Sequence, residues 1–169
     1  VEKAFTTTAQ EAEELKEIAD ESNLKLIVFQ NRRWDSDFKT VKHIFDRKIL
    51  GDIVEAEIHF DRYNPNLSPK LHKETVNPGA GILKDLGSHI IDQALVLFGF
   101  PQSLFADIRK TRDYSLVDDW FDITLFYSEC RVRLKAGFFV REPLPAYILH
   151  GKIGSFLKSR GDVQEDELK

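Results

Sequence analysis

The sequence predicts an α+β fold, in which an open, mainly antiparallel sheet carries helices on one face and follows the helix–strand tail of a truncated α/β domain. Two segments, 35–51 and 81–99, repeat apolar residues at the spacing of amphipathic helices. Several runs after position 52 have the length and composition of strands. The run at 24–30 differs from them, because its centre is continuously apolar, which is typical of a strand buried in a parallel sheet.

The N-terminal residues predict a helix at 7–22 followed by a strand at 24–30. The helix has threonines at its start, acidic residues in its first turns and apolar residues at helical spacing. A parallel neighbour of the strand must arrive through a crossover connection, and only the short segment VEKAF precedes the helix. We therefore expect residues 1–30 to be the tail of an N-terminal domain whose remainder is absent, and residues 31–169 to form a second domain that is cut at its C-terminus.

The second domain begins with a helix that packs against a half-buried strand. The segment at 35–51 places its apolar residues on one face and stops at Gly51. Apolar and polar residues alternate in the strand IVEAEIHFD at 53–61. A loop with three prolines spans 62–80, and loops of this length in compact domains are usually functional or flexible.

Strand-like runs follow the helix at 81–99 at short spacing, as in an antiparallel meander. They are SLFADIRK, WFDITLFY, RVRLKAGFFV and AYILHG. One face of this sheet would pack on the helices, and the other carries polar residues such as Glu55, Asp122 and Arg133. That outer face would meet either water or a partner subunit. The last residues, DVQEDELK at 162–169, resemble the start of a further helix.

Composition and charge exclude several classes of function. With 42% hydrophobic and 31% charged residues, the chain is typical of a soluble globular protein, and no apolar stretch reaches the roughly 20 residues that cross a membrane. The net charge is −4, with 24 lysines and arginines interspersed among 28 acidic residues, so nucleic acid is not an expected partner. The single cysteine, Cys130, cannot form an internal disulfide and no signal peptide is evident, so a cytoplasmic location is expected.

The helix at 81–99 carries a stripe of titratable residues, Asp85, His89 and Asp92, opposite an apolar face. An aspartate one turn from a histidine can orient the imidazole and raise its basicity, which suits it to proton abstraction near neutral pH. The same pair is also common as a weak surface ion pair, and the pattern alone leaves both interpretations open. No metal site is expected, because these three side chains are an incomplete ligand set. Gly87 lies on the apolar side, where we expect a close approach.

Three segments resemble the Gfo/Idh/MocA family of oxidoreductases. They are VEKAF at the N-terminus, QNRRWDSDF after the apolar run, and GAGILKDLGSHIIDQALVLFG around the titratable stripe. The resemblance implies an N-terminal Rossmann domain for a nicotinamide cofactor, and a second domain for substrate binding and homo-oligomerisation through the sheet face. It implies Lys3, Asp85 and His89 as catalytic residues with His89 as the acid/base, Arg32, Arg33 and Tyr63 as substrate contacts, and Glu2 and Lys3 as cofactor contacts.

The resemblance also implies a reaction, the transfer of a hydride between NAD or NADP, with NADP favoured, and a hydroxyl-bearing carbon of a sugar, inositol or related polyol. Two alternatives stay open: a non-catalytic binding or dimerisation module of the same fold, and nicotinamide-dependent glycoside cleavage on the same scaffold. No G-x-G-x-x-G follows a strand, so we expect the absent N-terminal domain to bind most of the cofactor. The chain alone is therefore expected to lack dehydrogenase activity.

Overall fold

A mixed sheet of six strands forms the centre of the computed structural model, which describes residues 1–142 and 144–160. The strands are β1 (Ile53–His59), β2 (Ser103–Arg109), β3 (Trp120–Phe126), β4 (Arg131–Gly137), β5 (Tyr147–Gly151) and β6 (Gly154–Lys158). The helices are α1 (Ala9–Glu21), α2 (Ser36–Asp46), α3 (Leu71–Glu74) and α4 (Ser88–Phe98), with a 3₁₀ turn at Asn31–Trp34 and a π-helical turn at Leu83–Gly87. The predicted α+β class is confirmed.

The strands lie in the order β2-β3-β4-β1-β5-β6. The β1–β4 pair is parallel and the other four pairs are antiparallel, so the sheet is mainly antiparallel, as predicted. The predicted meander is interrupted, because β1 lies between β4 and β5. The sequence analysis also missed β6, a five-residue strand that follows β5 through a short hairpin.

Helices α2 and α4 cover one face of the sheet. Phe38 and Val41 of α2 and Ile90 of α4 are fully buried in the same core as Ile58 of β1 and Leu134 of β4. Burying one side chain of this size contributes roughly 1.5–3 kcal/mol, so these contacts fix α4 on the sheet. The expectation of helices on one face is confirmed.

Helix α1 forms as predicted, but the segment at 24–30 is not a regular strand. The Thr8 hydroxyl accepts a hydrogen bond from the Glu11 N–H at 3.2 Å, and the Glu11 carboxylate accepts one from the Thr8 N–H at 3.1 Å. Among the described residues, the 24–30 segment pairs through a single parallel bridge between Glu2 and Phe29. A strand needs neighbours along its length to satisfy its backbone groups, and the short N-terminal segment satisfies few of them.

The segment at 81–99 is helical, as predicted, but its first turn is wider than an α-helix. The Ser88 N–H donates to the Leu83 carbonyl, the i to i−5 bond of a π-helix. Gly87 lies in this turn, where an added Cβ would come 3.2 Å from the ring of Phe121. The predicted close approach at Gly87 is therefore confirmed.

Two other expectations concern membrane-spanning helices and the C-terminal residues. No helix within residues 1–142 and 144–160 has both the length and the apolar character that crossing a membrane requires. The helix start predicted at 162–169 lies outside the described residues.

Candidate active site

The candidate site lies beyond the carboxyl ends of the parallel strands β1 and β4. Past β1 the chain stays beside β4, because the Phe60 N–H donates to the Lys135 carbonyl and the Arg62 N–H donates to the Gly137 carbonyl. Binding sites commonly lie at the carboxyl ends of parallel strands. Arg62 reaches the same cavity as Asp85 of the π-helical turn, so two elements meet at this edge.

Two lysines from different segments converge on Asp85. The Lys3 Nζ donates to the Asp85 carboxylate at 3.0 Å and to the Asp85 backbone carbonyl, and the Lys73 Nζ donates to the same carboxylate at 2.6 Å. Burial alone would raise the pKa of Asp85, but the hydrogen bonds from Lys73 and Lys3 outweigh it and hold the pKa below its usual value. Asp85 is therefore ionised at neutral pH and fixes both ammonium groups.

His89 is buried in the first turn of α4, with 6% of its surface exposed. Its Nδ1 has no hydrogen-bond partner in the part of the chain that the structure describes. Burial, together with the positive charges of Lys3 and Arg32, lowers the pKa of His89 to about 4, against a smaller opposing effect of Asp85. The imidazole is therefore neutral at pH 7 and has a lone pair that can accept a proton.

This arrangement differs from the expectation that Asp85 raises the basicity of His89 by orienting its ring. The hydrogen bonds of the Asp85 carboxylate go to Lys3 and Lys73, and the net effect of the surroundings on the pKa of His89 is a decrease. The prediction assumed regular α-helical spacing between the two residues. The π-helical turn adds a residue to that turn and changes the angle between their side chains.

The two arginines predicted to bind substrate have different surroundings. Arg32 pairs with Asp35 at 3.0 Å and contributes to the positive potential at His89. Arg33 makes a two-pronged contact with Asp92, with its Nε at 2.8 Å and its Nη2 at 2.6 Å from the carboxylate oxygens. Arg33 and Asp92 thus tie the 3₁₀ turn to α4, whereas Arg32 belongs to the surroundings of His89.

Tyr63 and Glu2, the remaining predicted contacts, lie on the backbone that frames the site. Tyr63 bridges to Phe139 across the extensions of β1 and β4, and its hydroxyl accepts a hydrogen bond from Arg141. Glu2 forms its backbone bridge with Phe29. The functional roles of both residues remain predictions.

The sequence analysis missed Lys73, which lies on α3 inside the long loop. Helix α3 is anchored by Glu74, whose carboxylate accepts hydrogen bonds from the Arg112 Nη2 at 2.8 Å and from the Ser68 N–H at 2.8 Å. The buried Asp119 binds Arg112 in turn, at 3.0 Å from its Nε. Glu74 and Arg112 are 38 positions apart, so no local pattern relates them, and the length of the loop was the only signal.

Cavities flank Asp85 and Lys73 on two sides. One of about 270 Å³ lies between Lys3 and residues 79–81, and one of about 90 Å³ reaches Arg62. Small-molecule sites begin at roughly 300 Å³, so the first cavity is close to the smallest size of such a site. A larger hollow of about 670 Å³ beside α1 contains none of the candidate residues.

A metal centre would need several metal-ligating side chains close together. Within residues 1–142 and 144–160, no three His, Cys, Asp or Glu side chains are arranged to hold a metal ion.

The fold and the site together define the class of protein. The chain belongs to the Gfo/Idh/MocA family, and the GFO/IDH/MocA C-terminal domain matches residues 38–157. That match includes α4, the loop that carries Lys73, most of α2 and the sheet up to the last residue but one of β6.

Several individual relatives are similar over the whole chain. The chain is 41% identical over 169 residues to the scyllo-inositol 2-dehydrogenase (NADP⁺) IolW of Bacillus subtilis, covering 100% of this chain and 47% of IolW. It is 40% identical over 169 residues to the uncharacterized oxidoreductase YdgJ of Escherichia coli, with coverages of 100% and 49%. A solved oxidoreductase structure from Bacillus cereus matches with a TM-score of 0.88 at 36% identity, over 99% of this chain and 48% of that one. The chain spans about half the length of the curated relatives it matches.

Proposed function

We propose that the protein containing this chain transfers a hydride between NAD or NADP and a hydroxyl-bearing carbon of a sugar, inositol or related polyol. The observation that carries the proposal is the pairing of Lys3 with Asp85, 82 positions apart in the sequence, close to the neutral imidazole of His89. The relative IolW, described as a scyllo-inositol 2-dehydrogenase that uses NADP⁺, supports a polyol substrate and favours NADP.

Each of the three residues has a distinct role in alcohol oxidation. His89 takes the proton of the substrate hydroxyl, which its neutral form allows. Lys3 donates a hydrogen bond to the same oxygen and stabilises the negative charge that develops on it. Asp85 is a positioning residue that holds the Lys3 ammonium.

A nicotinamide cofactor, when bound, supplies the hydride acceptor for this oxidation. Glu2 and Lys3 are the residues of this chain that would contact it, and the cavity of about 270 Å³ leaves room beside Lys3. The larger part of the cofactor would bind to an N-terminal domain of the family.

Replacement of His89 tests the assignment of the base. In the full-length protein, we expect His89→Ala to lower kcat at least about 10²-fold, because general-base catalysis contributes about 10²- to 10⁴-fold. His43→Ala is the matched control, since His43 is exposed on α2 and its loss should leave turnover unchanged. Near-normal kcat in His89→Ala would contradict the assignment.

The products distinguish this reaction from the alternatives. Net formation of NADPH or NADH from inositols and aldoses, followed by absorbance, is expected of a dehydrogenase. Cleavage of a glycoside without net reduction of the cofactor would indicate nicotinamide-dependent glycoside cleavage instead. If the protein catalyses neither reaction, it is a binding or dimerisation module.

We also propose that the protein forms a homo-oligomer through the sheet face that is opposite the helices. That face carries Phe105 of β2 and Leu157 of β6, which are 64% and 56% exposed. Trp120, Phe126 and Ile148 lie on the same face and are partly exposed. Exposed apolar surface of this kind is typical of protein interfaces.

A further inference from the structure

Three arginines surround the ring of Phe60, the first residue after β1. The guanidinium carbons of Arg160, Arg62 and Arg32 lie 3.8, 5.0 and 5.6 Å from the ring centroid. Phe60 itself is buried, so the ring holds these cations together at the edge of the core. An aromatic face attracts one such cation by roughly 0.5–2 kcal/mol, but it does not cancel the repulsion among three of them.

The carboxylates near this cluster balance only part of its charge. Arg32 pairs with Asp35, and the Asp85 carboxylate is bonded by Lys3 and Lys73. Among residues 1–142 and 144–160, no carboxylate forms an ion pair with Arg62 or Arg160. In the same described residues, the Nη1 of Arg160 and the Nε of Arg32 are buried and have no hydrogen-bond partner.

Partly buried like charges are unfavourable unless an opposite charge joins them. The effect is visible at Arg62, whose pKa is lowered by burial and by Arg32 and Arg160, although Asp85 opposes the shift. The cluster therefore has the electrostatics of a site that is completed by an anion.

The cluster borders the candidate active site. Arg62 lines a cavity with Lys73 and with the carboxylates of Asp85, Glu74 and Asp118. Lysines bond Asp85, Arg112 bonds Glu74, and the Leu83 N–H donates to Asp118. Arg32 and Arg160 both contribute to the positive potential at His89. An anion bound by these arginines would thus belong to the molecule whose hydroxyl meets His89.

We propose that Arg62, together with Arg32 and Arg160, forms a subsite for an anionic substituent, a carboxylate or a phosphate, on the sugar or polyol substrate. The inference rests on the proposed function and narrows its substrate class. A planar guanidinium group matches carboxylate and phosphate oxygens in a two-pronged geometry and binds them more strongly than neutral hydroxyls. A neutral polyol would leave the charge of the cluster uncompensated.

Binding titrations test the subsite independently of turnover. The full-length protein with its cofactor is titrated calorimetrically with matched sets of a neutral aldose, its uronate and its phosphate, built on glucose and on galactose. We expect at least one anionic member to bind about tenfold or more tightly than the neutral sugar, because charge-assisted contacts are lost in the latter. A preferred uronate identifies the carboxylate as the ligand, and a preferred sugar phosphate identifies the phosphate.

Two variants assign the preference to the cluster. Arg62→Gln should remove it and Arg62→Lys should retain part of it, whereas Arg47→Gln, a change at the exposed end of α2, should leave it unaltered. Equal affinities across each set, including no measurable binding by any member, would overturn the subsite, as would a preference that persists in Arg62→Gln. Turnover of neutral polyols that depends on His89 would still support the proposed function, so the two failures are distinguishable.

Discussion

His89 is a buried imidazole whose neutral state depends on its surroundings. Burial and the charges of Lys3 and Arg32 lower its pKa to about 4, whereas an unfolded histidine has a pKa of about 6.5. The unfolded chain thus binds a proton between these values and the folded chain does not. The stability contributed by this difference is fully present above about pH 6.5 and is lost as the pH falls towards 4.

Replacing this histidine should therefore remove a pH-dependent part of the stability. We expect the free energy of unfolding of the wild type, relative to His89→Gln, to fall by on the order of 3 kcal/mol between pH 7 and pH 4. Urea unfolding followed by circular dichroism at several pH values measures this difference. The wild-type curve alone is not sufficient, because the pKa of His59 is raised by Asp61 and Glu57, although burial opposes them.

The control for this measurement is His43→Gln, a change at an exposed histidine of α2. Its stability should stay parallel to that of the wild type over the same pH range. If His89→Gln is also parallel to the wild type, the folded pKa of His89 is not depressed, and burial and the charges of Lys3 and Arg32 do not act on the imidazole as described above.

At the scale of elements, the π-helical turn at Leu83–Gly87 connects the core to the site. An added Cβ on Gly87 would lie 2.9 Å from the Leu83 Cδ1 and 3.2 Å from the ring of Phe121. The Leu83 side chain can move, but Phe121 is fully buried in the core. The absence of a side chain at Gly87 therefore lets the turn approach β3 closely and helps to set the direction of Asp85.

Adding a methyl group at this position tests the packing of the turn. We expect Gly87→Ala to destabilise the protein, because overpacking a core costs about 1–3 kcal/mol and exceeds the roughly 1 kcal/mol that alanine gains in helix propensity. The midpoint of urea unfolding measures the net effect of overpacking and helix propensity on stability. Gly79→Ala is the matched control, since its added Cβ would lie at an ordinary 3.6 Å from the nearest atom, the Asn77 Oδ1. A stabilised Gly87→Ala would show that the turn has room for the methyl group.

The elements also show which features a sequence reveals. Helix α4 and the close approach at Gly87 were predictable, because apolar periodicity and a glycine on the packed face are local signals. The segment at 24–30 has the apolar run of a strand, but among the described residues it pairs only through the Glu2–Phe29 bridge, because its strand character depends on parallel neighbours that residues 1–30 do not supply. Lys73 was missed for a similar reason, since the Glu74–Arg112 pair that positions α3 joins residues 38 positions apart.

At the scale of the whole molecule, the two faces of the sheet have different compositions. The helix-covered face is apolar, and its central strands are closed off from solvent, with Ile58 and Leu134 fully buried. At the edge strand β2, Leu104 and Ile108 of the same face stay exposed. The open face combines apolar side chains with charges that are already paired, such as Arg133 with Asp122 at 2.5 Å. Pairing lowers the free-energy cost of removing these charges from water, although it does not abolish it, so this face is better suited to contact a second copy of itself than one with unpaired charges.

A charge placed on the open face should break the proposed oligomer. We expect the wild-type protein to have the mass of an oligomer in size-exclusion chromatography with light scattering, and Phe105→Glu to shift it towards the mass of one chain, because an unpaired carboxylate is costly in an interface. Phe100→Glu is the control, since Phe100 is 88% exposed but lies in the connection between α4 and β2. A monomeric wild type would show that there is no such interface. An oligomer that tolerates Phe105→Glu and dissociates in Phe100→Glu would place the interface elsewhere.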